Sequence, residues 1–311
     1  MKSTTLVFSR LLYAAGLICS LTAPASARDT AITAPTQFVS VKDGRQLAYR
    51  SIGRGPALVL CNRFRGTLDT WDPAFLDGLA AHYRVITFDF RGVGRSTGEP
   101  PATILAMASD AQELIAALNL GQVALGGWSI GGLAAQTVAT VHPELVSHLI
   151  LIGTGPAGKN EHPIDPVFFE YAHKPVNDLS DEYVLFFEPG SEASRKAAGL
   201  SHDRIAARTK DLDVPVPPAV WPKLHQAAAE FFADVHGSRQ MLKQTQIPIL
   251  ILHGDHDIVF PIQNWNALSR EMPTAQLIVF PHAGHGPQHQ FVEASVAYIH
   301  AFLETTKRRA K

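Results

Sequence analysis

From Phe38 onward, short apolar runs alternate with longer amphipathic stretches. Phe38-Val39-Ser40-Val41 and Gln46-Leu47-Ala48-Tyr49 flank the turn pair Asp43-Gly44, a pattern that predicts an opening antiparallel pair of strands. Six further apolar runs follow, Leu58–Cys61, Val85–Phe88, Val123–Leu125, Leu149–Ile152, Ile249–Leu252 and Leu277–Phe280. Strands that alternate with helical segments predict a mainly parallel sheet with helices on both faces. Ser109-Asp110-Ala111-Gln112 reads as a capping box opening a helix that carries Leu114, Ile115 and Leu118 and closes at Gly121. Val292, Val296, Ile299 and Leu303 recur at helical spacing and predict a final helix.

The alternation stops between Gly155 and about Thr245. Aromatic pairs cluster there (Phe168, Phe169 and Tyr171; Phe186 and Phe187; Phe231 and Phe232), with a proline-rich run from Val214 to Pro218. The first 27 residues have a different character. Lys2 and Arg10 precede an apolar stretch, Leu11 to Leu21, that is short for a membrane span, and Ala25-Ser26-Ala27 matches a small-residue cleavage site. Residues 1–27 are therefore expected to be a cleaved secretory signal, and the mature protein to be periplasmic or secreted with no stable membrane association. Cys61 is then the sole remaining cysteine, which leaves no internal disulfide, and it reads as a small apolar residue ending a core strand.

Composition narrows the class. The 311 residues carry 27 Lys and Arg against 28 Asp and Glu, and 46% are hydrophobic, as in a soluble globular enzyme. With no basic excess, a nucleic-acid partner is not expected, and Lys307-Arg308-Arg309 reads as a solvated end. The expected partner is a small-molecule substrate.

Gly127-Trp128-Ser129-Ile130-Gly131 follows the run Val123–Leu125 directly. A serine on a strand-to-helix turn between glycines is pushed out with its hydroxyl exposed, because neighbouring backbone comes too close for side chains at the flanking positions. A serine hydroxyl is a weak nucleophile at neutral pH. It needs an imidazole to take its proton and a carboxylate to orient that imidazole. Two later runs end in suitable groups: Ile249–Leu252 leads into His253-Gly254-Asp255-His256-Asp257, and Leu277–Phe280 into Pro281-His282-Ala283-Gly284-His285. By residue type alone, Asp255 and Asp257 compete for the acid, and His282 and His285 for the base.

From about Gln37 to Leu303 the chain resembles the α/β-hydrolase superfamily, in the branch of small serine esterases, perhydrolase-type haloperoxidases and lactonases. Besides Ser129, the resemblance rests on Phe88-Asp89-Phe90-Arg91-Gly92-Val93-Gly94-Arg95-Ser96, which matches D-x-R-G-x-G-x-S, and on Trp71-Asp72-Pro73, which matches W-x-P. It implies an α/β-hydrolase fold whose core is formed by residues 28–155 and 245–311, with a helical cap inserted over 156–244. The family pattern G-x-x-D-x-x-x-P selects Asp257, with Gly254 and Pro261 in register, and G-H selects His285. The implied triad is Ser129, Asp257 and His285, and the implied oxyanion donors are the backbone N–H groups of Phe64 and Ile130. Asn62 and Arg63 stand where the family carries H-G. With Trp128 they are candidate substrate-pocket residues, and Arg63 reads either as a solvated loop residue or as a cation near the mouth of the site.

His253, His256, His282, His285 and His289 make the last loops rich in potential zinc ligands, but their spacing matches no standard zinc motif, and no metal or cofactor is expected. The expected function is a metal-free serine hydrolase of a small ester, thioester or lactone. The alternatives are a peptidase of the same fold and a non-catalytic hydrolase-fold protein that binds a small ligand. Dehalogenase chemistry through an aspartate nucleophile is disfavoured, since the turn carries serine.

Overall fold

The computed structural model describes Met1 and residues 29–306. Apart from Met1, the expected signal segment lies outside the described residues, as does the basic run at the C-terminal end. The opening pair, β1 (Gln37–Ser40) and β2 (Gln46–Ile52), is antiparallel with Gln37 opposite Tyr49. The chain continues through β3 (Ala57–Cys61), α1 (Pro73–Ala80), β4 (Arg84–Phe88), α2 (Ile104–Ala117), β5 (Val123–Trp128), α3 (Ile130–Val141) and β6 (Val146–Ile152). Five helices follow before the sheet resumes: α4 (Pro166–Ala172), α5 (Leu179–Phe186), α6 (Glu192–Ala206), α7 (Trp221–Phe232) and α8 (Ser238–Gln244). The last elements are β7 (Ile249–Gly254), α9 (Gln263–Ser269), β8 (Ala275–Phe280), α10 (Pro287–Gln290) and α11 (Val292–Thr305). Among the described residues, no helix is long and apolar enough to cross a membrane.

The eight strands form one sheet in the order β1-β2-β4-β3-β5-β6-β7-β8, parallel from β4 to β8. The period-2 alternation of side chains sends successive residues of each central strand into opposite cores. Val59, Leu149 and Ile251 join α2, α3 and α7 on one face, while Leu58, Leu60, Ile150 and Leu252 join α1 and α11 on the other. This explains why the central strands read as continuous apolar runs. Cys61 ends β3 inside the first core, where burial pushes its thiol well above the usual range.

The structure corrects the expected start of α2. The helix opens six residues earlier than the Ser109 pattern suggests, with Thr103 as N-cap accepting from the Ala106 N–H at 3.1 Å. Ser109 and Asp110 lie inside it. Asp110 is fully buried because it receives Arg45 at 2.8 Å and Arg91 at 2.7 Å, so its carboxylate serves tertiary contacts and not a cap.

The strand order reverses between the paired strands β3 and β5: the chain leaves β3 for β4 on one side and leaves β5 for β6 on the other. A crevice opens at the carboxyl ends of the strands at such a switch point. The loop 62–66 and the turn carrying Ser129 border that crevice.

Candidate active site

Ser129 sits between β5 and α3 with φ 58° and ψ −125°, a backbone conformation that costs an L-residue of order 1–3 kcal/mol. Its N–H donates to the Ile152 carbonyl (3.0 Å), and its own carbonyl accepts from Thr154 Oγ1 and from the Gly132 N–H, both at 2.8 Å. These bonds hold the strained turn. The flanking glycines are required by space: a Cβ on Gly127 would lie 2.1 Å from the Gly131 carbonyl oxygen, and one on Gly131 would lie 2.2 Å from that of Cys61. Thr154 is a supporting residue that carried no signal in the sequence.

Asp257 and His285 stand on the loops after β7 and β8. His285 Nδ1 lies 2.9 Å from Asp257 Oδ2 and 3.1 Å from Oδ1, with both side chains buried. Asp257 Oδ1 also accepts the N–H groups of Val259 (2.8 Å) and Phe260 (3.0 Å). Burial by itself would raise this carboxyl, but the His285 imidazole and these donors hold it below the usual range, so it is a carboxylate. Nδ1 therefore carries the proton that faces Asp257, which leaves Nε2 free to act as a base. Asp255 is committed elsewhere: its carboxylate binds His256 Nδ1 at 2.6 Å at the surface.

The remaining histidines separate by environment. His253 is fully buried behind the acid, with Nε2 3.7 Å from Asp257 Oδ2, and burial depresses its pKa. His282 stacks on His256. His289 accepts the Asp72 N–H at 3.2 Å and is buried against Trp128, which drives its pKa down to about 4 and keeps it neutral. Among the described residues, no three His, Cys, Asp or Glu side chains converge as metal ligands.

Phe64 and Ile130 border the space in front of Ser129. Ile130 opens α3, so its N–H has no acceptor within the helix. Asn62, expected in the pocket, is instead fully buried behind it. Its Nδ2 donates to the Phe88 carbonyl (2.8 Å) and to Asp89 Oδ1 (3.2 Å), and its Oδ1 accepts Trp71 Nε1 (2.6 Å). An amide supplies donor and acceptor at once, so Asn62 braces the loop that carries Phe64. Asp89 extends this brace by accepting the N–H of Leu68 at 3.1 Å. Trp128 also differs from its expected place. It is buried under the site, and its Nε1 donates to the His285 carbonyl at 2.7 Å, so it positions the histidine loop.

Two cavities meet at Ser129. One is small and mixed in character, lined by Arg63, Phe64, Arg65, Ser129, Phe186 and His285 among others. The other is apolar, about 320 Å³, and reaches between α3, α4 and α7 past Leu133, Phe168, Phe169, Leu224, Phe232 and Phe260. Ser129, Phe64 and Phe168 border both. Of the clustered aromatics, Phe168, Phe169, Phe186 and Phe232 face these cavities, whereas Phe231 belongs to the core.

A nucleophile at a strained turn, a carboxylate-oriented imidazole and outward N–H groups together can perform acyl transfer. Residues 56–291 match the family model described as the alpha/beta hydrolase fold. The chain belongs to the α/β-hydrolase family. An alpha/beta hydrolase fold protein from Chitinophaga pinensis superposes with a TM-score of 0.77 at 29% identity, covering 89% of this chain and all of that one. A thermophilic esterase from Thermogutta terrifontis gives a TM-score of 0.70 at 25% identity over 88% of this chain and all of that one. The pimeloyl-[acyl-carrier protein] methyl ester esterase of Vibrio parahaemolyticus is 30% identical over 252 residues, 78% of this chain and 91% of that protein. This α/β-hydrolase chain thus shares its fold and most of its length with esterases.

Proposed function

We propose that the protein is a serine hydrolase of small carboxylic esters, thioesters or lactones, acting through an acyl-enzyme on Ser129. The observation that carries this reading is the Asp257–His285 pair at 2.9 Å, whose imidazole borders the same cavity as Ser129. In the first half-reaction, His285 Nε2 takes the Ser129 proton as Oγ attacks the acyl carbon. The carbonyl oxygen gains negative charge and turns toward the N–H groups of Phe64 and Ile130, where each such donor is worth about 3–4 kcal/mol in the transition state. The bond to the leaving group breaks as His285 returns the proton: C–O to release an alcohol, or C–S to release a thiol where the substrate is a thioester. Water then repeats the sequence on the acyl-serine and releases the acid. Asp257 stays ionised throughout and stabilises the imidazolium. No metal or cofactor is needed, because side chains and backbone N–H groups fill each of these roles. Esterase-named relatives that span most of the chain support the ester class. A complete nucleophile–base–acid set also favours an enzyme over a pure ligand binder, which has no chemical need for all three.

The apolar cavity suits a hydrocarbon chain on one side of the scissile bond. A panel of p-nitrophenyl esters, thioesters, lactones and aminoacyl amides tests the reading. Turnover of the esters, thioesters or lactones, with amides inert, supports it, and cleavage confined to the amides refutes it in favour of a peptidase. Export is part of the proposal and rests on the leader pattern alone; a secreted mass beginning at Arg28 tests it.

A further inference from the structure

Arg63 is the feature of the site that the proposed chemistry leaves unused. Its guanidinium lies between two aromatic rings, 4.5 Å from the Phe186 centroid and 5.2 Å from that of Trp128, and it borders the small cavity with Ser129 and His285. Of its N–H donors, one Nη1 hydrogen is used, on the neighbouring Phe64 carbonyl at 2.8 Å. Nε is buried with no hydrogen-bond partner. The other arginines near this end of the sheet behave differently: Arg45, Arg50, Arg91, Arg204 and Arg208 each face a carboxylate. Among the described residues, no Asp or Glu oxygen lies within ion-pair distance of Arg63. Glu182 acts on it only from farther away, and its carboxylate bonds His202 at 3.1 Å.

The rest of the cavity reinforces the sign of the charge. Arg65 also borders it, stacked 4.1 Å over Trp221 and donating only to the backbone carbonyls of Ala172, Lys174 and Pro175. No carboxylate lines the cavity. Burial lowers Arg63 to a pKa of about 10, which leaves it charged at neutral pH. A part-buried cation with unused planar donors, held between two rings beside Ser129, is shaped for a planar anion.

We propose that Arg63 binds a carboxylate of the substrate, so that the natural ester carries a negative charge on the side of the scissile bond opposite its apolar chain. This rests on the hydrolase reading above and narrows its substrate class. Arg63 precedes Phe64, whose N–H faces the reacting carbonyl, so the carboxylate sits a few bonds from the acyl carbon. A half-ester of a short dicarboxylic acid meets these requirements: its alkyl alcohol enters the apolar cavity and its free carboxylate meets Arg63.

The test compares butyl hydrogen succinate with butyl succinamate, which replaces the carboxylate by a neutral amide of the same shape. The wild-type protein is expected to favour the half-ester by about 30-fold in kcat/KM, in line with a charge-assisted hydrogen bond. In Arg63→Gln the ratio is expected to fall below about 3-fold, mainly through KM, whatever happens to the absolute rates, and Arg63→Lys should retain part of the preference. A purely structural role, clamping Trp128 to Phe186, would slow both esters alike and leave the ratio unchanged, which would overturn the proposal. Calorimetric titration of the Ser129→Ala protein separates this inference from the hydrolase reading, since it needs no turnover. Tighter binding of butyl hydrogen succinate than of butyl succinamate, lost on adding Arg63→Gln, supports the anion site even if neither ester is cleaved. Equal affinities for the two compounds overturn it.

Discussion

Replacing Arg204 by alanine tests how the inserted helices are held over the site. Arg204 on α6 meets Asp72, the N-cap of α1, through Nε at 2.8 and 3.1 Å and through Nη2 at 2.5 Å. The same carboxylate caps the Ala74 N–H at 2.9 Å, and Asp72 is fully buried while the Arg204 side chain is 33% exposed. Removing one partner of a buried pair costs about 3–5 kcal/mol because the other is left uncompensated. Water access to Arg204 brings the expectation down to about 2–3 kcal/mol. In a chain of this size each kcal/mol lowers Tm by about 2 °C, so the variant should melt about 4–6 °C below the wild type near pH 7. The pH dependence gives a sharper test. Burial alone would raise the Asp72 carboxyl, but Arg204, helped by His289 and Ser201, holds the group below its ordinary value. A depressed folded pKa means that the stabilisation is present above the unfolded value, about 3.9, and is lost as pH falls through the folded one. Without Arg204, burial meets only the weaker opposition of Ser201, His289 and the Ala74 N–H, so the folded pKa rises and the stabilisation shrinks. The gap in Tm between the two proteins should therefore be widest near pH 7 and narrow toward pH 4. Scanning calorimetry across that range checks it. A drop below about 1 °C at pH 7, or a gap that does not change with pH, refutes the reasoning.

Three further outcomes follow from the site. Asp257→Asn should lower kcat by about 10⁴-fold by releasing the His285 tautomer, whereas Asp255→Asn, at the surface with His256, should stay within about tenfold of wild type; equal losses in ester hydrolysis would remove Asp257 from its role. The apolar cavity of about 320 Å³ is lined by Leu133, Leu224, Ala228 and Phe232. Rates on acetate esters of straight-chain alcohols should rise about fourfold per methylene added to the alcohol until the cavity fills, and Ala228→Phe, which intrudes on it, should shift the optimum to shorter chains; an unmoved optimum would show that the chain goes elsewhere. Burial and the neighbouring Asp213 carboxylate push Asp89 well above the usual carboxylate range. A raised folded pKa means stability that is present at low pH and lost as pH rises. Asp213→Asn should therefore raise Tm relative to wild type at pH 8 and lose that advantage by pH 5, and a variant that melts lower at pH 8 would contradict the coupling.

The sheet and the placement of the proposed acyl-transfer residues were legible because each is written locally. A buried parallel strand is a short apolar run, the strained turn demands glycines around Ser129, and the acid and base follow their strands within a few residues. What the sequence hid is long-range. Ser109-Asp110-Ala111-Gln112 has the composition of a cap, yet Asp110 is drawn into the core by Arg45, 65 residues away. Asn62 and Trp128 lie in motifs that line the pocket in outline, but the hydrogen bonds from Trp71 to Asn62 and from Trp128 to the His285 carbonyl turn both into supports behind it. The Arg204–Asp72 clamp spans 132 residues and leaves no local mark. For Arg63 the choice between a solvated loop and a part-buried cation depended on Phe186, which α5 brings from the inserted segment.

The central claim is that Ser129 is the nucleophile. Labelling with a fluorophosphonate, read by intact mass, tests it most directly, because the reagent bonds only to an activated serine. The wild-type protein should gain one adduct. Ser129→Ala should gain none while keeping the wild-type Tm within about 2 °C, and should lose several orders of magnitude in ester hydrolysis. Undiminished labelling of a folded Ser129→Ala protein, or wild-type hydrolysis by it, would contradict the account.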